Sequence, residues 1–280
     1  VGLVIPAGLA GIVLAPLSGT LAWLCWQAAA YGLDGLVLLV GTVARWPWAA
    51  STTITPSLLE LALCFLLLGV FFIAKGRGPR LIGLALCLVI GGLDAAYWCQ
   101  RRFDRDRMTV TVVDVGQGSA NLLQLPGGFT VLIDGGGFGD NATFDVGRSV
   151  VAPLLWRNKI KTVDRVILTH ANSDHLNGLL FILNNFAVGE VWSNHEATQT
   201  AGYRLWQETI AAQGIRHVAF AQLPWRSETA GVRFDLLGPP EGFLERRAVE
   251  KWRDENANSL VTRVSWGSAS RYLRPSRYIA

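Results

Sequence analysis

No cysteine occurs after Cys99 in this 280-residue sequence, and all four cysteines lie within or next to apolar stretches. This absence excludes a disulfide framework and thiolate metal ligands from the rest of the chain, where a metal would need His, Asp or Asn ligands. Charge is equally scarce before residue 101, where four basic and three acidic residues occur. The scarcity predicts that the chain divides near residue 100 into an apolar part and an ordinary soluble part.

Two further features are missing. The N-terminal residues show neither the charged segment nor the cleavage site of a signal peptide, which predicts that Val1 lies inside a longer gene product. The whole chain has a net charge of +4, and the +3 of its soluble part (21 basic and 18 acidic residues) comes from residues mixed with many acids and not gathered in a basic stripe. Charge alone therefore does not identify nucleic acid as a partner.

Long apolar runs fill the first half. Residues 57–74 and 81–98 are each about long enough to cross a bilayer core of roughly 30 Å, and the short polar connector 75–80 predicts an antiparallel helical hairpin. Residues 1–17 resemble the end of another spanning helix, whereas residues 21–45 could lie along the membrane or cross it. A buried helix pair of a soluble protein is the alternative interpretation. Basic residues flank both ends of the last run, so charge leaves the orientation open.

From Thr109 the pattern changes to short β-rich runs. Strands are predicted at 109–113, 120–125, 129–133, 164–169, 190–193, 216–220, 233–237 and 260–266. Helices are predicted at 146–156, 176–186 and 201–212, the last one ending at Gly214. Antiparallel runs of strands with helices between them predict an α+β sandwich.

Residues 169–175, Thr-His-Ala-Asn-Ser-Asp-His, join a predicted strand to a predicted helix. Such a loop lets alternate side chains converge, and His170, Asp174 and His175 supply two imidazoles and a carboxylate suited to zinc or manganese. The spacing alone fits a second interpretation equally well, a polar turn that caps a helix.

Four stretches together resemble the ComEC family of bacterial DNA-internalisation (competence) proteins. They are residues 114–120 (DVGQGSA), 132–137 (LIDGGG), 170–175 followed by NGL, and 256–261 (NANSLV). The resemblance covers nearly the whole chain. It implies an all-α transmembrane region over 1–100, a basic linker over 101–107, and an α+β metallo-β-lactamase-like αββα sandwich over 108–280 that is incomplete at its C-terminal end.

The resemblance also implies the roles of the site residues. By the family's pattern, His170 and the residue at position 172 serve one metal, while Asp174 and His175 serve the other and Asp174 takes the proton in catalysis. Asn172 departs from the His or Asp of the family, and its uncharged amide oxygen is expected to hold a metal more weakly. Asp134 is implied to orient a ligand or brace the loop, with a plain Asx turn as the alternative.

Gly116 and Gly118 are interpreted as positions where the backbone must turn tightly or approach the site closely. Ser119, beside them, stands where many relatives have Asp. His195 follows a strand and could face the site, but ordinary structural roles are favoured for it and for His217, because isolated histidines seldom bind metal without partners.

The C-terminal residues depart furthest from the family, which continues with a Thr-Gly-Asp strand and a later His-His-Gly-Ser motif. Here no Asp, Glu or His follows Glu255, and the tail is rich in Arg and Ser. This composition predicts a frameshifted or truncated reading. At most one weakly bound zinc or manganese ion is therefore expected.

The resemblance implies a multi-pass protein of the bacterial inner membrane that imports single-stranded DNA, with its soluble domain outside the cytoplasm. The metal-dependent, nuclease-like hydrolase domain is expected to be impaired in this chain. Expected partners are single-stranded DNA, the lipid bilayer and other proteins of the competence machinery. Two alternatives stay open: a membrane-tethered metallo-hydrolase of a small substrate, and a non-catalytic remnant of a frameshifted gene.

Overall fold

The computed structural model describes residues 2–46, 49, 53–139, 143–196, 198–240, 242–249, 255–267 and 269–273. The chain forms two compact units, residues 1–53 and 54–280. The first holds α1 (Val4–Leu14) and α2 (Gly19–Ala44), and the second begins with the hairpin of α3 (Leu58–Phe72) and α4 (Arg77–Phe103). The hairpin thus shares a unit with the soluble part, although the composition changes near residue 100.

Two of these helices, α2 with 26 residues and α4 with 27, are long and apolar enough to cross a membrane. Helices α1 and α3, with 11 and 15 residues, are shorter. By length and composition alone, the chain is consistent with a membrane protein. Both boundaries of α4 differ from the predicted span 81–98, since the helix begins at Arg77 within the expected connector and continues through Phe103 into the expected linker. Arg101 and Arg102 favour this extension, because cations stabilise the negative end of a helix dipole.

The soluble part contains two sheets. Sheet A has the order β1 (Thr109–Val112), β2 (Asn121–Gln124), β3 (Thr130–Ile133), β4 (Thr162–Leu168), β5 (Ala187–Ser193) and β6 (Arg216–Val218). Sheet B has the order β10 (Ala269–Leu273), β9 (Val261–Trp266), β8 (Val232–Gly238) and β7 (Arg226–Thr229). The helices of this part are α5 (Ala152–Arg157), α6 (Ser173–Asn185), α7 (Ala201–Gln213) and α8 (Phe243–Val249).

Sheet A is mixed and not antiparallel throughout. The meander β1–β2–β3 is antiparallel as predicted, whereas β3, β4, β5 and β6 are parallel to one another. The difference arises because the connections from β3 to β6 pass through helices, and a helical crossover returns the chain in the same direction. Helix α7 ends at Gly214 in the left-handed conformation, as its sequence predicts.

Two apolar cores separate the layers. One core lies between sheet A and helices α5 to α7, around Leu122, Leu155 and Trp206. The other lies between the two sheets, around Trp192 and Phe234. The described residues thus include a helix layer packed on sheet A and two sheets packed on each other, as in the expected αββα sandwich. On sheet B, the buried carboxylate of Asp235 forms ion pairs with Arg226 and Arg263.

Three elements have no counterpart in the sequence analysis: β7, α8 and β10. The last of these lies in the Arg- and Ser-rich tail, where residues 269–273 pair with β9 in antiparallel register. The predicted helix at 146–156 is a π-helix, Gly147–Val151, that continues into α5 with Pro153 in its first turn. Residues 274–280 lie outside the described part of the chain.

Candidate metal centre

The ends of two parallel strands meet the start of a helix at one edge of sheet A. Asp134 follows β3, His170 follows β4, and Asn172 is the residue that precedes the first turn of α6. The helix begins at once, so Asp174 and His175 lie beside His170. His170, Asp174 and His175 each offer one ligand atom, and these atoms lie within 4.8 Å of one another. Among the residues that the structure describes, this is the one such group of three.

His175 is oriented by Asp134. The carboxylate Oδ2 of Asp134 lies 2.8 Å from Nδ1 of His175, and both side chains are buried. Because a carboxylate only accepts, Nδ1 carries the hydrogen, and in the neutral ring Nε2 then keeps its lone pair. Nε2 lies 3.7 Å from the Asp174 carboxylate. The hydrogen bond therefore presents the metal-binding nitrogen of His175 towards the group of three.

The tautomer of His170 follows from two hydroxyl groups. Its Nδ1 lies 3.1 Å from Oγ1 of Thr169 and 3.3 Å from Oγ of Ser259. Thr169 directs its single hydroxyl hydrogen to Asp134 at 2.8 Å, and Ser259 directs its own to the carbonyl oxygen of Asn256 at 2.8 Å. Both hydroxyl oxygens must therefore accept from His170, whose Nδ1 carries the hydrogen.

Nε2 of His170 is thus a bare lone pair. It is buried and makes no hydrogen bond of ordinary geometry to a described residue, although the side chain of Asn256 lies near enough to the ring to raise its pKa slightly against the other effects. A buried polar atom without a well-placed partner is costly. Burial first, and the neighbouring His175 second, lower the pKa of His170 to about 4. The imidazole is consequently neutral at neutral pH, which is the form that binds a metal.

The pKa of His175 moves in the opposite direction. Burial by itself would lower it, but the charge and the hydrogen bond of Asp134, together with the charge of Asp174, raise it overall. The two imidazoles differ because Asp134 is bonded directly to only one of them.

The glycine-rich turn between β1 and β2 lies against the backbone of Asp174. Gly118 has a φ of +88°, and a Cβ placed on it would lie 1.7 Å from the carbonyl oxygen of Asp174. The next residue, Ser119, donates its N–H to that same oxygen at 3.3 Å. Gly116 also has a positive φ, of 75°. The expected close backbone approach therefore occurs at Gly118, where no other residue fits without displacement.

Asn172 is beside the group but its role as a ligand stays a prediction. Its amide nitrogen donates to Oδ1 of Asn256 at 3.3 Å. Sequence reasoning missed Thr169 and Ser259, which orient His170. Thr169 stands directly before one of the stretches that carry the family resemblance, and Ser259 lies within another. The available signals were therefore a hydroxyl before the first His and another before the last predicted strand.

The donor set fits a divalent ion. Two imidazole nitrogens and a carboxylate oxygen suit zinc or manganese, and the buried lone pair of His170 is available to coordinate such an ion. The structure brings Asp134, His170, Asp174 and His175 together, with Gly118 packed against them. Gly116 lies further out along the same turn.

His195 and His217 lie outside this group. Their rings stack with centroids 4.0 Å apart and an angle of 16° between planes. Nε2 of His195 donates to the carbonyl oxygen of Val218 at 2.8 Å, and Nε2 of His217 lies 2.8 Å from Oγ of Ser193. Burial, and then the electrostatic interaction with His195, lower the pKa of His217 to about 4.

This pair predicts a loss of stability in weak acid. A pKa of about 4 for folded His217 lies below the ordinary value of 6.5, so the unfolded chain takes up the proton first as the pH falls. The contribution of neutral His217 to the free energy of unfolding is therefore fully present above pH 6.5. It declines towards pH 4, by about 1–2 kcal/mol after allowance for partial exposure. His217→Gln should flatten this decline in unfolding experiments between pH 7.5 and 4.5. An unchanged slope would assign the acid sensitivity to other groups.

Comparison with known protein families places this geometry in context. A sequence model of the Metallo-beta-lactamase superfamily matches residues 113–262. The chain is also similar to "Competence protein ComA" of Neisseria gonorrhoeae, with 28% identity over 267 residues, 95% of this chain. The matched region is 32% of that protein, so the chain spans about a third of its relative's length.

Two solved structures are similar to part of the chain. A diphosphatase from the PhnP family matches with a TM-score of 0.31 and 17% identity, over 54% of this chain and 49% of that one. A metallo beta lactamase from Hirschia baltica matches with a TM-score of 0.27 and 18% identity, over 55% and 65%.

Proposed function

Because the chain belongs to the metallo-beta-lactamase superfamily, we propose that its soluble part is a metal-dependent phosphodiesterase domain of a bacterial DNA-uptake protein. Its substrate is single-stranded DNA, and the apolar helices hold it in the inner membrane. The observation that carries the proposal is the arrangement of two imidazole Nε2 atoms and one carboxylate, with both tautomers determined by hydrogen bonds.

His170, Asp174 and His175 would hold one zinc or manganese ion. When bound, such an ion supplies Lewis acidity, which polarises a phosphoryl group and makes water more acidic. Asp134 keeps the hydrogen of His175 on Nδ1, and Thr169 and Ser259 do the same for His170. Asp174 is partly exposed, so its carboxylate can accept the proton of an attacking water from the solvent side.

The DNA-uptake part of the proposal is supported by similarity to a competence protein along 95% of the chain. The membrane part is supported by the two long apolar helices and by the apolar side chains that they leave exposed, such as Leu38 at 72% and Leu88 at 76%. An extracytoplasmic soluble domain and other competence proteins as partners belong to the same proposal.

The test uses the full chain, purified in detergent and loaded with zinc or manganese. Elemental analysis gives the number of ions, and a labelled single-stranded oligonucleotide and bis(p-nitrophenyl) phosphate report hydrolysis. DNA cleavage that is lost in His170→Ala supports the proposal. Hydrolysis of the small ester alone favours a tethered hydrolase of small substrates, and no bound ion favours a non-catalytic module. The expected result is one weakly bound ion and slow cleavage.

Substitution of Asn172→Asp is expected to tighten ion binding by about tenfold, because a charged oxygen replaces a neutral one. The fold should tolerate the change, since an acid is favourable at the start of α6 and the exposed amide of Asn256 can rotate to donate. Calorimetry with zinc measures the affinity. Asn184→Asp, an exposed change on the same helix, is the matched control. Equal affinities in both variants would remove position 172 from the ligand set.

A further inference from the structure

A cavity of about 610 Å³ lies where the end of α4 meets the soluble part, within one compact unit. Its apolar wall includes Trp98, Phe103 and Phe129, and its basic residues are Arg102, Lys159 and Lys161. We call it the junction cavity. None of the residues of the candidate metal centre lines this cavity.

The α4 side of the junction cavity is anchored to the turn between β2 and β3. The guanidinium of Arg102 donates to the carbonyl oxygen of Gly128 and, at 2.8 Å, to Oγ1 of Thr130. The N–H of Gly127 donates to the carbonyl oxygen of Asp104 at 2.9 Å. Arg102 is therefore a fixed part of the wall.

The opposite side is anchored to the start of α3. The ammonium group of Lys159 lies 2.5 Å from the carboxylate of Glu60, donates to the carbonyl oxygen of Thr55 at 2.9 Å, and lies 5.1 Å from the centre of the Trp98 ring. Its charge is thus already matched by Glu60. Both ends of the hairpin are held against the soluble part, and the cavity between them is preformed.

Lys161 is the exposed cation of this cavity. The one acid in the lining, Asp164, accepts the N–H of Thr130 at 2.7 Å, and its charge acts on Arg102. Arg102 also lines a smaller cavity of about 150 Å³, whose other charged residues are Arg101, Arg107 and the acid Asp104. The cations around the junction therefore exceed the acids that face them.

We infer that the junction cavity binds the headgroup of an anionic phospholipid. It lies at the end of α4, which is long and apolar enough to cross a membrane, and Trp98 is in the position of an interfacial aromatic residue. The phosphate of such a lipid would contact the basic residues of the cavity, and its acyl chains would contact the aromatic ones. Basic pockets beside membrane helices recognise such headgroups. The inference rests on the membrane placement proposed above but not on the hydrolase activity.

Cys99 provides a probe, because it lines the cavity and is exposed. The full chain, with Cys25, Cys64 and Cys87 changed to alanine, is placed in phosphatidylcholine vesicles with or without phosphatidylglycerol. The rate at which a water-soluble maleimide labels Cys99 is then measured. We expect phosphatidylglycerol to slow labelling severalfold, and Lys161→Glu to require at least about fivefold more of it for the same protection. Lys161→Gln should lie between the two.

Arg204→Glu, a reversal of an exposed charge on α7, is the matched control and should leave protection unchanged. Equal protection in neutral vesicles, an unchanged lipid requirement in Lys161→Glu, or the same effect of Arg204→Glu would overturn the inference. Protection by glycerol 3-phosphate or an oligonucleotide at concentrations as low as those of the lipid would also overturn it, in favour of a soluble phosphate or nucleic acid. Metal content and DNA cleavage are separate readouts, so failure here leaves the proposed function standing.

Discussion

Gly118→Ala is expected to destabilise the soluble part by about 3 kcal/mol and to weaken ion binding strongly. The added methyl group would lie 1.7 Å from the carbonyl oxygen of Asp174, so the turn or the start of α6 must move. Overpacking of this kind costs about 1–3 kcal/mol, and the positive φ of +88° adds about 1 kcal/mol for a residue with a Cβ. Movement of α6 would displace Asp174 and His175 together.

Denaturant unfolding of the full chain, followed by tryptophan fluorescence, measures the first effect, and zinc calorimetry measures the second. Gly127→Ala is the matched control, since Gly127 also has a positive φ, of +74°, but has open space where a Cβ would lie. It should lose only about 1 kcal/mol. If the two variants unfold at the same denaturant concentration, the contact between the turn and Asp174 is not as close as described.

Asp134→Asn is expected to weaken ion binding by about 10- to 100-fold. Asn has the same shape as Asp and also adopts the φ of 59° found at this position. However, its amide N–H replaces one of the two carboxylate oxygens that accept hydrogen bonds here. Asp134 accepts from the N–H of Thr169 at 2.9 Å, from its hydroxyl and from Nδ1 of His175. One of these buried donors must therefore lose its acceptor, at a cost of about 1–3 kcal/mol.

Asp114→Asn provides the comparison for this variant. Asp114 is exposed, and its carboxylate accepts a hydrogen bond from the N–H of Gly116, two residues along the same turn, at 3.2 Å. The same chemical change there should alter stability by a few tenths of a kcal/mol and leave zinc affinity intact. A zinc affinity of Asp134→Asn equal to that of the unmodified chain would show that His175 does not depend on Asp134 for its orientation.

The sequence predicted those parts of the fold that depend on neighbouring residues. The meander from β1 to β3, the strand before His170 and the end of α7 at Gly214 each follow from local alternation or from a glycine in the left-handed region. The parallel pairing of β3 with β4 depends on residues more than 30 positions apart along the chain. Short β7 and β10 lack a clear alternation of apolar and polar residues, and they are strands because β8 and β9 pair with them.

The candidate site divides in the same way. The spacing from His170 to His175 was visible because the three ligand candidates lie within one loop. The contact between Gly118 and Asp174, and the hydrogen bond that the ring of His170 donates to Ser259, join distant stretches that only the fold brings together. A hydroxyl group also gives no charge pattern that would distinguish it from any other Ser or Thr.

The hydrogen bond from Arg102 to Thr130 limits how far the candidate metal centre can move from the end of α4. Thr130 begins β3 and Asp134 follows its end, so the helix end and the centre are joined by one short strand of about 13 Å. With Lys159 bonded to the start of α3 as well, the hydrolase part cannot swivel about α4 as it would on a flexible tether. The candidate site therefore stays at a constant height above the end of the hairpin. Under the proposed function, a DNA strand would have to be delivered to that height.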